Sequence, residues 1–170
     1  ANEKIINAIL IGDKDKIIEK CKNLDIDYNR FEIIHQPNEV KSGTEAVKQI
    51  VDKKAQILMK GLISTPYFLK AILNKDFGLI KKGTVLSHTT LIDVPTYDKL
   101  LIVSDVAMIP YPTLSDKVAM VKYNVDICKK LGIENPKTAF ISANEKVTDK
   151  MPSTMEAAVI SKMADRGQIK

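Results

Sequence analysis

Three times within the first 75 residues, a short apolar run gives way to a turn and then to apolar residues at helical spacing. Ile6 to Ile11 is mostly apolar and ends in Gly12-Asp13, as a buried strand does where it turns into a helix. Ile17, Ile18, Cys21 and Leu24 then follow a helical period. Phe31 to His35 reads as a second strand, and after Pro37 a helix is predicted from Thr44 to Lys53, with Ala46, Val47 and Ile50 on one side. Gln56 to Lys60 reads as a third strand, followed by a helix from Thr65 to Lys75 that carries Phe68, Leu69, Ile72 and Leu73. Such alternation predicts an α/β fold with a parallel sheet covered on both faces.

The texture changes at Lys81-Lys82-Gly83. Thr84 to Asp93 and Leu100 to Val106 both read as strands, and the link between them, with Pro95 in its middle, is too short for a helical crossover. They are expected to pair antiparallel, and a domain boundary is placed near Gly83, giving 1–83 and 84–170 as parts of two α/β domains. Beyond the pair come a helix from Leu114 to Leu131, a strand from Thr138 to Ala143 and a helix from Ser153 to Ala164. Ser153 and Glu156 have capping-box spacing, with Met155, Val159 and Met163 behind them as an apolar stripe.

Composition narrows the class. No run of about 18 apolar residues is present to span a bilayer. Ala1-Asn2-Glu3-Lys4 also lacks the regions of a signal peptide, so the expected location is the cytoplasm, with no membrane partner. Cys21 and Cys128 are the only cysteines, too few for a disulfide framework, and both lie on apolar helical stripes. The formal charge of +5 rests almost entirely on lysines interspersed with acids, with Arg30 and Arg166 the only arginines. That is the pattern of a solvated surface, and no aromatic platform accompanies it around Tyr28 or Tyr123, so nucleic acid is not expected as a partner.

In open α/β sheets ligands lie beyond the carboxyl ends of the strands, which directs attention to Lys60-Gly61-Leu62-Ile63-Ser64-Thr65-Pro66. Gly61 permits a turn, Ser64 or Thr65 can cap, and Pro66 suits the first helical position. The free amides of that turn and the helix dipole form an anion site, toward which Lys70 can lean and which Lys60 can approach. The alternative is an ordinary capped helix with two solvated lysines. His88, flanked by Ser87 and Thr89, is a candidate for contacting substrate or moving a proton, or is a satisfied structural histidine. His35 has no evident partner in the sequence. Asp105, an acid within an apolar run, must be paired, face a cleft or cap a loop. It has no second acid at ligand spacing, so no metal site is expected.

Leu86-Ser87-His88, Asp93-Val94-Pro95 with Tyr97-Asp98, Ser104-Asp105-Val106-Ala107-Met108 and Lys150-Met151-Pro152-Ser153-Thr154 occur in this order. They are followed by Ser161-Lys162-Met163-Ala164-Asp165-Arg166-Gly167-Gln168-Ile169. Together they resemble the phosphate acetyl/butyryltransferase family over essentially the whole chain. The resemblance implies reversible transfer of a short acyl group, butyryl or acetyl, between coenzyme A and inorganic phosphate. Both are substrates, and no permanently bound cofactor is implied. It also implies a homodimer or larger homo-oligomer, and two α/β domains with mostly parallel sheets and a hairpin near the junction, similar to the isocitrate/isopropylmalate dehydrogenase architecture. Ser64, Thr65 and Lys70 match the family segment near phosphate, with lysine where acetyl-specific relatives typically carry arginine, hence a point charge rather than a bidentate fork.

Family chains begin before the segment matching Ala1 and continue past Ile169. These residues are therefore expected to be an interior part of a longer protein whose principal catalytic Ser, Arg and Asp lie beyond it, and no catalytic residue is assigned here. Two rival classes share parts of the pattern: a metal- and NAD(P)-dependent hydroxyacid dehydrogenase of similar fold, and a non-catalytic anion-binding subunit. The first needs clustered acids for a divalent cation, which the sequence does not offer.

Overall fold

A computed structural model describes residues 5–169. The backbone separates into two compact units that divide between Thr84 and Val85.

In the first unit β1 (Ile9–Gly12) and β2 (Glu32–His35) pair in parallel, with Ile9 opposite Glu32 and Gly12 opposite His35. The branched side chains of Ile9, Ile11, Ile33 and Ile34 suit a pleated, half-buried surface. The N–H of Gln36 carries the ladder one step further, donating to the Gly12 carbonyl at 2.8 Å. Between the strands lies α1 (Lys14–Asn23), started by Asp13, whose carboxylate accepts the N–H groups of Asp15 and Lys16. Lys20 and Lys22 sit in its last turn, where positive charge opposes the negative end of the dipole. A single 3₁₀ turn at Tyr28–Arg30 leads into β2.

The next helix, α2 (Glu39–Val51), starts five residues earlier than expected, because Asn38 caps it by accepting the Lys41 N–H at 3.0 Å. Gly43 is helical rather than a breaker. It lies where α2 meets α3 (Thr65–Ile72), and a β-carbon there would come within 2.9 Å of Ile63 Cδ1 and 3.4 Å of Ala71 Cβ. Glu39, Gly43 and Val47 lie four residues apart on one face. Val47 has no exposed surface and Ala71 is buried, so this seam is the core of the unit.

In the second unit β3 (Thr89–Ile92) and β4 (Leu101–Ser104) are antiparallel, with Thr89 opposite Ser104 and Ile92 opposite Leu101. The peptide bond between Ser104 and Asp105 is cis. Helix α4 (Leu114–Lys130) opens with a capping box. The Asp116 N–H donates to Thr113 Oγ1, and the Thr113 N–H returns to the Asp116 carboxylate at 2.9 Å. Helix α5 (Pro152–Asp165) packs on α4 and is tied to it by an ion pair between Lys117 and Glu156. Met120 and Ile160 are the buried apolar residues of this unit.

Several expectations are corrected. Among the described residues the four strands form two separate two-stranded sheets, one parallel and one antiparallel. The mostly parallel sheets of an isocitrate/isopropylmalate dehydrogenase-like architecture are not what this chain builds. Gln56–Lys60 and Thr138–Ala143 are irregular. Both have strand-like patterning but no partner among the described residues: Ile57, Met59 and Ile141 are 74%, 80% and 90% exposed, so no described neighbour rewards pairing there. At α5, Ser153 is not a cap. Met151 holds the N-cap position, Pro152 begins the helix, and Glu156 is engaged by Lys117. The stripe that faces inward carries Thr154 and Ile160, while Met155 and Val159 are exposed.

No helix among the described residues is long and apolar enough to cross a membrane. Cys21 is buried and Cys128 half-buried, and neither forms a disulfide.

Candidate functional site

In the first unit, chain segments at the carboxyl ends of the parallel strands hold one another by hydrogen bonds. Lys14, the first residue of α1, donates its N–H to His35 Nδ1 at 3.1 Å. An accepting Nδ1 leaves the proton of the neutral imidazole on Nε2, so His35 presents a donor from the end of β2. This partner was invisible in sequence because Lys14 and His35 are 21 positions apart.

The segment from Lys60 to Lys70 has a different layout from a simple capped turn. Ser64 is the N-cap residue of α3, but its hydroxyl makes no capping bond. Its backbone N–H instead donates to Oε1 of Glu39, the first residue of α2. Pro66 occupies the second helical position and brings no N–H, while the N–H of Phe68 bonds the Ser64 carbonyl at 3.1 Å. The first-turn amides of Thr65 and Tyr67 are therefore the N–H groups left at this helix end. Thr65 is exposed and Ser64 half-buried.

Lys60 folds back, donating from Nζ to the Gly61 carbonyl at 3.3 Å. Gly61 stands in open space, and no atom lies within 4 Å of the position its β-carbon would take. Lys70 flanks a shallow cavity of about 70 Å³ between α2 and α3, which it shares with Val40, Thr44, Tyr67, Ala71 and Asn74. The cavity therefore combines a cation, two hydroxyl-bearing side chains and an amide against a small apolar floor. Sequence reasoning missed Glu39. An acid in the first turn of a helix is a common dipole device, and its tertiary reach to Ser64 leaves no local signature.

His88 and Asp105 lie together in the second unit, joined through the backbone. The His88 N–H donates to Asp105 Oδ2 at 2.9 Å, and the N–H groups of Ala107 and Met108 donate to Oδ1 at 2.8 and 2.7 Å. Burial pushes the Asp105 carboxyl upward, but the N–H groups of Met108, His88, Ala107 and Ile109 outweigh it and hold the group below its ordinary value. Ser104 adds a bond from its hydroxyl to the His88 carbonyl, and Thr89 donates to Asn124 Oδ1 of α4. The His88 side chain itself is exposed. Asp105 thus holds a loop, with its oxygens already engaged.

In Lys150-Met151-Pro152-Ser153-Thr154 the hydroxyls are also committed. Thr154 is 4% exposed, donates to the Met151 carbonyl at 2.8 Å and accepts the Thr148 N–H at 3.0 Å. Ser153 accepts from Ser142 at 2.7 Å. Among the described residues no group of three or more His, Cys, Asp or Glu side chains is placed to hold a metal ion.

Comparison with known proteins places this geometry in context. The profile of the phosphate acetyl/butaryl transferase family matches residues 38–170. The chain is 44% identical over 166 residues to a phosphate butyryltransferase of Clostridium acetobutylicum, covering 98% of this chain and 55% of that protein. It is 36% identical over 168 residues to a phosphate acetyltransferase of Thermotoga maritima, covering 99% and 56%. The chain thus spans about half the length of the curated relatives it matches. Among solved structures, it resembles a branched-chain phosphotransacylase from Enterococcus faecalis V583, with a TM-score of 0.74 and 26% identity over 92% of this chain and 63% of that one. That likeness replaces the dehydrogenase architecture expected from sequence with a phosphotransacylase-type fold.

Proposed function

The chain belongs to the phosphate acetyl/butaryl transferase family, and on that premise we propose that it serves a reversible acyl transfer, in which inorganic phosphate attacks a short-chain acyl-CoA thioester to give an acyl phosphate and free coenzyme A. The observation that carries this reading is the family match itself, which spans residues 38–170 and so includes the start of α3.

The reaction asks little covalent chemistry of the protein. It must hold a phosphate oxygen against the thioester carbonyl and neutralise the charge that gathers there. In this reading the N–H groups of Thr65 and Tyr67, the positive end of α3 and the Lys70 ammonium hold the phosphate, with Ser64 adding a donor. Lys60 and Gly61 form the approach. A lysine at position 70 supplies charge without fixing two oxygens in a plane, so orientation falls to the backbone amides. In the second unit, His88 offers an exposed imidazole for substrate contact, while Asp105 shapes the loop that presents it.

Identity is higher to the butyryltransferase than to the acetyltransferase, 44% against 36%, which supports butyryl as the preferred group. The same reading includes a homo-oligomer working in the cytoplasm, with coenzyme A and phosphate as freely exchanging substrates. The test is product formation: butyryl phosphate, trapped with hydroxylamine as the hydroxamate, must accumulate from butyryl-CoA only when phosphate is supplied. Release of coenzyme A with no acyl phosphate would replace this reading with thioester hydrolysis.

A further inference from the structure

We propose that Tyr111 is the stacking platform for the adenine ring of the acyl-CoA, a contact away from the reacting atoms that sets how tightly this substrate is held; the identity of the ligand rests on the acyl-transfer reading above. Tyr111 is 94% exposed, whereas Tyr28, Tyr67, Tyr97 and Tyr123 each have more than half of their surface covered. An aromatic ring contributes most when its face is covered, and no described neighbour covers this one.

The chain around Tyr111 holds the ring out. Pro110 and Pro112 flank it, each fixing its own φ, and Pro112 also disfavours the helical region for Tyr111. Both ends of the loop are anchored. Asp105 Oδ1 accepts the N–H groups of Ala107 and Met108 at 2.8 and 2.7 Å, and Thr113 closes the capping box that starts α4. An aromatic on so restrained a backbone loses little conformational entropy when a partner covers it, which is the property of a pre-organised binding residue. Asp105 also accepts the His88 N–H, so the loop carrying Tyr111 and the segment carrying the exposed imidazole share one anchor. A short acyl chain needs an enclosed apolar pocket, which a single exposed ring does not provide. A flat partner that stays partly solvated suits it, and adenine is the planar ring of acyl-CoA.

The test uses the natural full-length protein as wild type, Tyr111→Ala and Tyr111→Phe. Each is titrated calorimetrically with the adenosine bisphosphate portion of coenzyme A. Each is also assayed for phosphate-dependent thiol release from butyryl-CoA and from butyryl-pantetheine, which lacks the nucleotide. Tyr111→Ala is expected to raise the nucleotide Kd and the butyryl-CoA KM by about five- to tenfold, with the KM for butyryl-pantetheine unchanged. Tyr111→Phe, which keeps the ring, retains the wild-type affinity. An equal nucleotide Kd in wild type and Tyr111→Ala, or no nucleotide binding by either, overturns the proposal. An equal rise in KM for both thioesters also overturns it, because that is the result of a merely structural loop. So does a smaller oligomer of Tyr111→Ala in sedimentation with nucleotide affinity unchanged, which assigns the ring to a contact between copies. If wild type releases no thiol while Tyr111→Ala weakens nucleotide binding, the acyl-transfer reading fails and the adenine contact stands. If wild type releases thiol and the nucleotide Kd does not rise in Tyr111→Ala, the reverse holds.

Discussion

The backbone N–H of His88 donates to the carboxylate of Asp105 across 17 positions of sequence, at 2.9 Å. Because the other carboxylate oxygen takes two further amides, Asp105 ties the end of β4 to the segment entering β3. Asp105→Ala leaves these N–H groups without their acceptor and is expected to lower stability by about 1–3 kcal/mol. Asp105→Asn keeps one carbonyl oxygen and loses less. Urea unfolding of both variants checks the order.

The same carboxylate gives a pH dependence with a definite sign. Its folded-state value lies below the ordinary 3.8, so the folded protein binds that proton less readily than the unfolded chain. The stabilisation is therefore fully present above the ordinary carboxylate range and is lost as pH falls through the lowered value. The stability gap between wild type and Asp105→Asn should be constant near neutrality and shrink below about pH 4. A gap that widens on acidification would contradict the hydrogen-bonding account.

Gly43 tests the α2–α3 seam. Alanine gains helix propensity of about 1 kcal/mol but places its methyl 2.9 Å from the mobile end of Ile63, so Gly43→Ala is expected to be nearly neutral. Gly43→Leu must displace Ile63 and Ala71 together and is expected to cost about 1–3 kcal/mol. It should also raise the phosphate KM by shifting the start of α3. Thermal midpoints and phosphate kinetics on the same preparations separate the two effects.

Thr113 tests the start of α4. Its hydroxyl receives the Asp116 N–H and donates to the Asp116 carboxylate at 2.7 Å, and that side-chain bond, followed by the one from the Thr113 N–H, holds the carboxyl below its ordinary value. Thr113→Ala should lower stability by about 0.5–2 kcal/mol, while Thr113→Ser restores most of it. Urea midpoints check both.

Much of the molecule was legible in sequence where the signal is local. The apolar spacing of Ile17, Ile18 and Cys21 marked α1, and the short link around Pro95 marked β3 and β4 as an antiparallel pair. The helix start at Glu39 was placed too late, at Thr44, because the capping role of Asn38 was not read from the sequence. Alternation in Gln56–Lys60 resembled a strand, but a strand needs a partner, and pairing is a tertiary property. The start of α3 near Ser64 was legible from its hydroxyls and proline. The bonds of Glu39 to Ser64 and of Lys14 to His35 were not legible because they span 25 and 21 positions, beyond any periodic signal.

Lys70 tests the charge supplied to the anion. It is exposed and flanks the cavity with Tyr67 and Asn74, so its loss should be felt in binding rather than folding. Lys70→Ala is expected to raise the phosphate KM by about three- to tenfold and leave the melting temperature unchanged. Lys70→Arg should restore most of the loss. An unchanged phosphate KM in Lys70→Ala would remove Lys70 from the site.

The central claim is acyl transfer to phosphate, and the most direct test is the initial rate of free-thiol release from butyryl-CoA by the natural full-length protein as phosphate is varied. The account predicts a rate that rises from near zero, saturates with phosphate and is matched by butyryl phosphate formed in equal amount. A rate independent of phosphate, or none at any phosphate concentration, would contradict it.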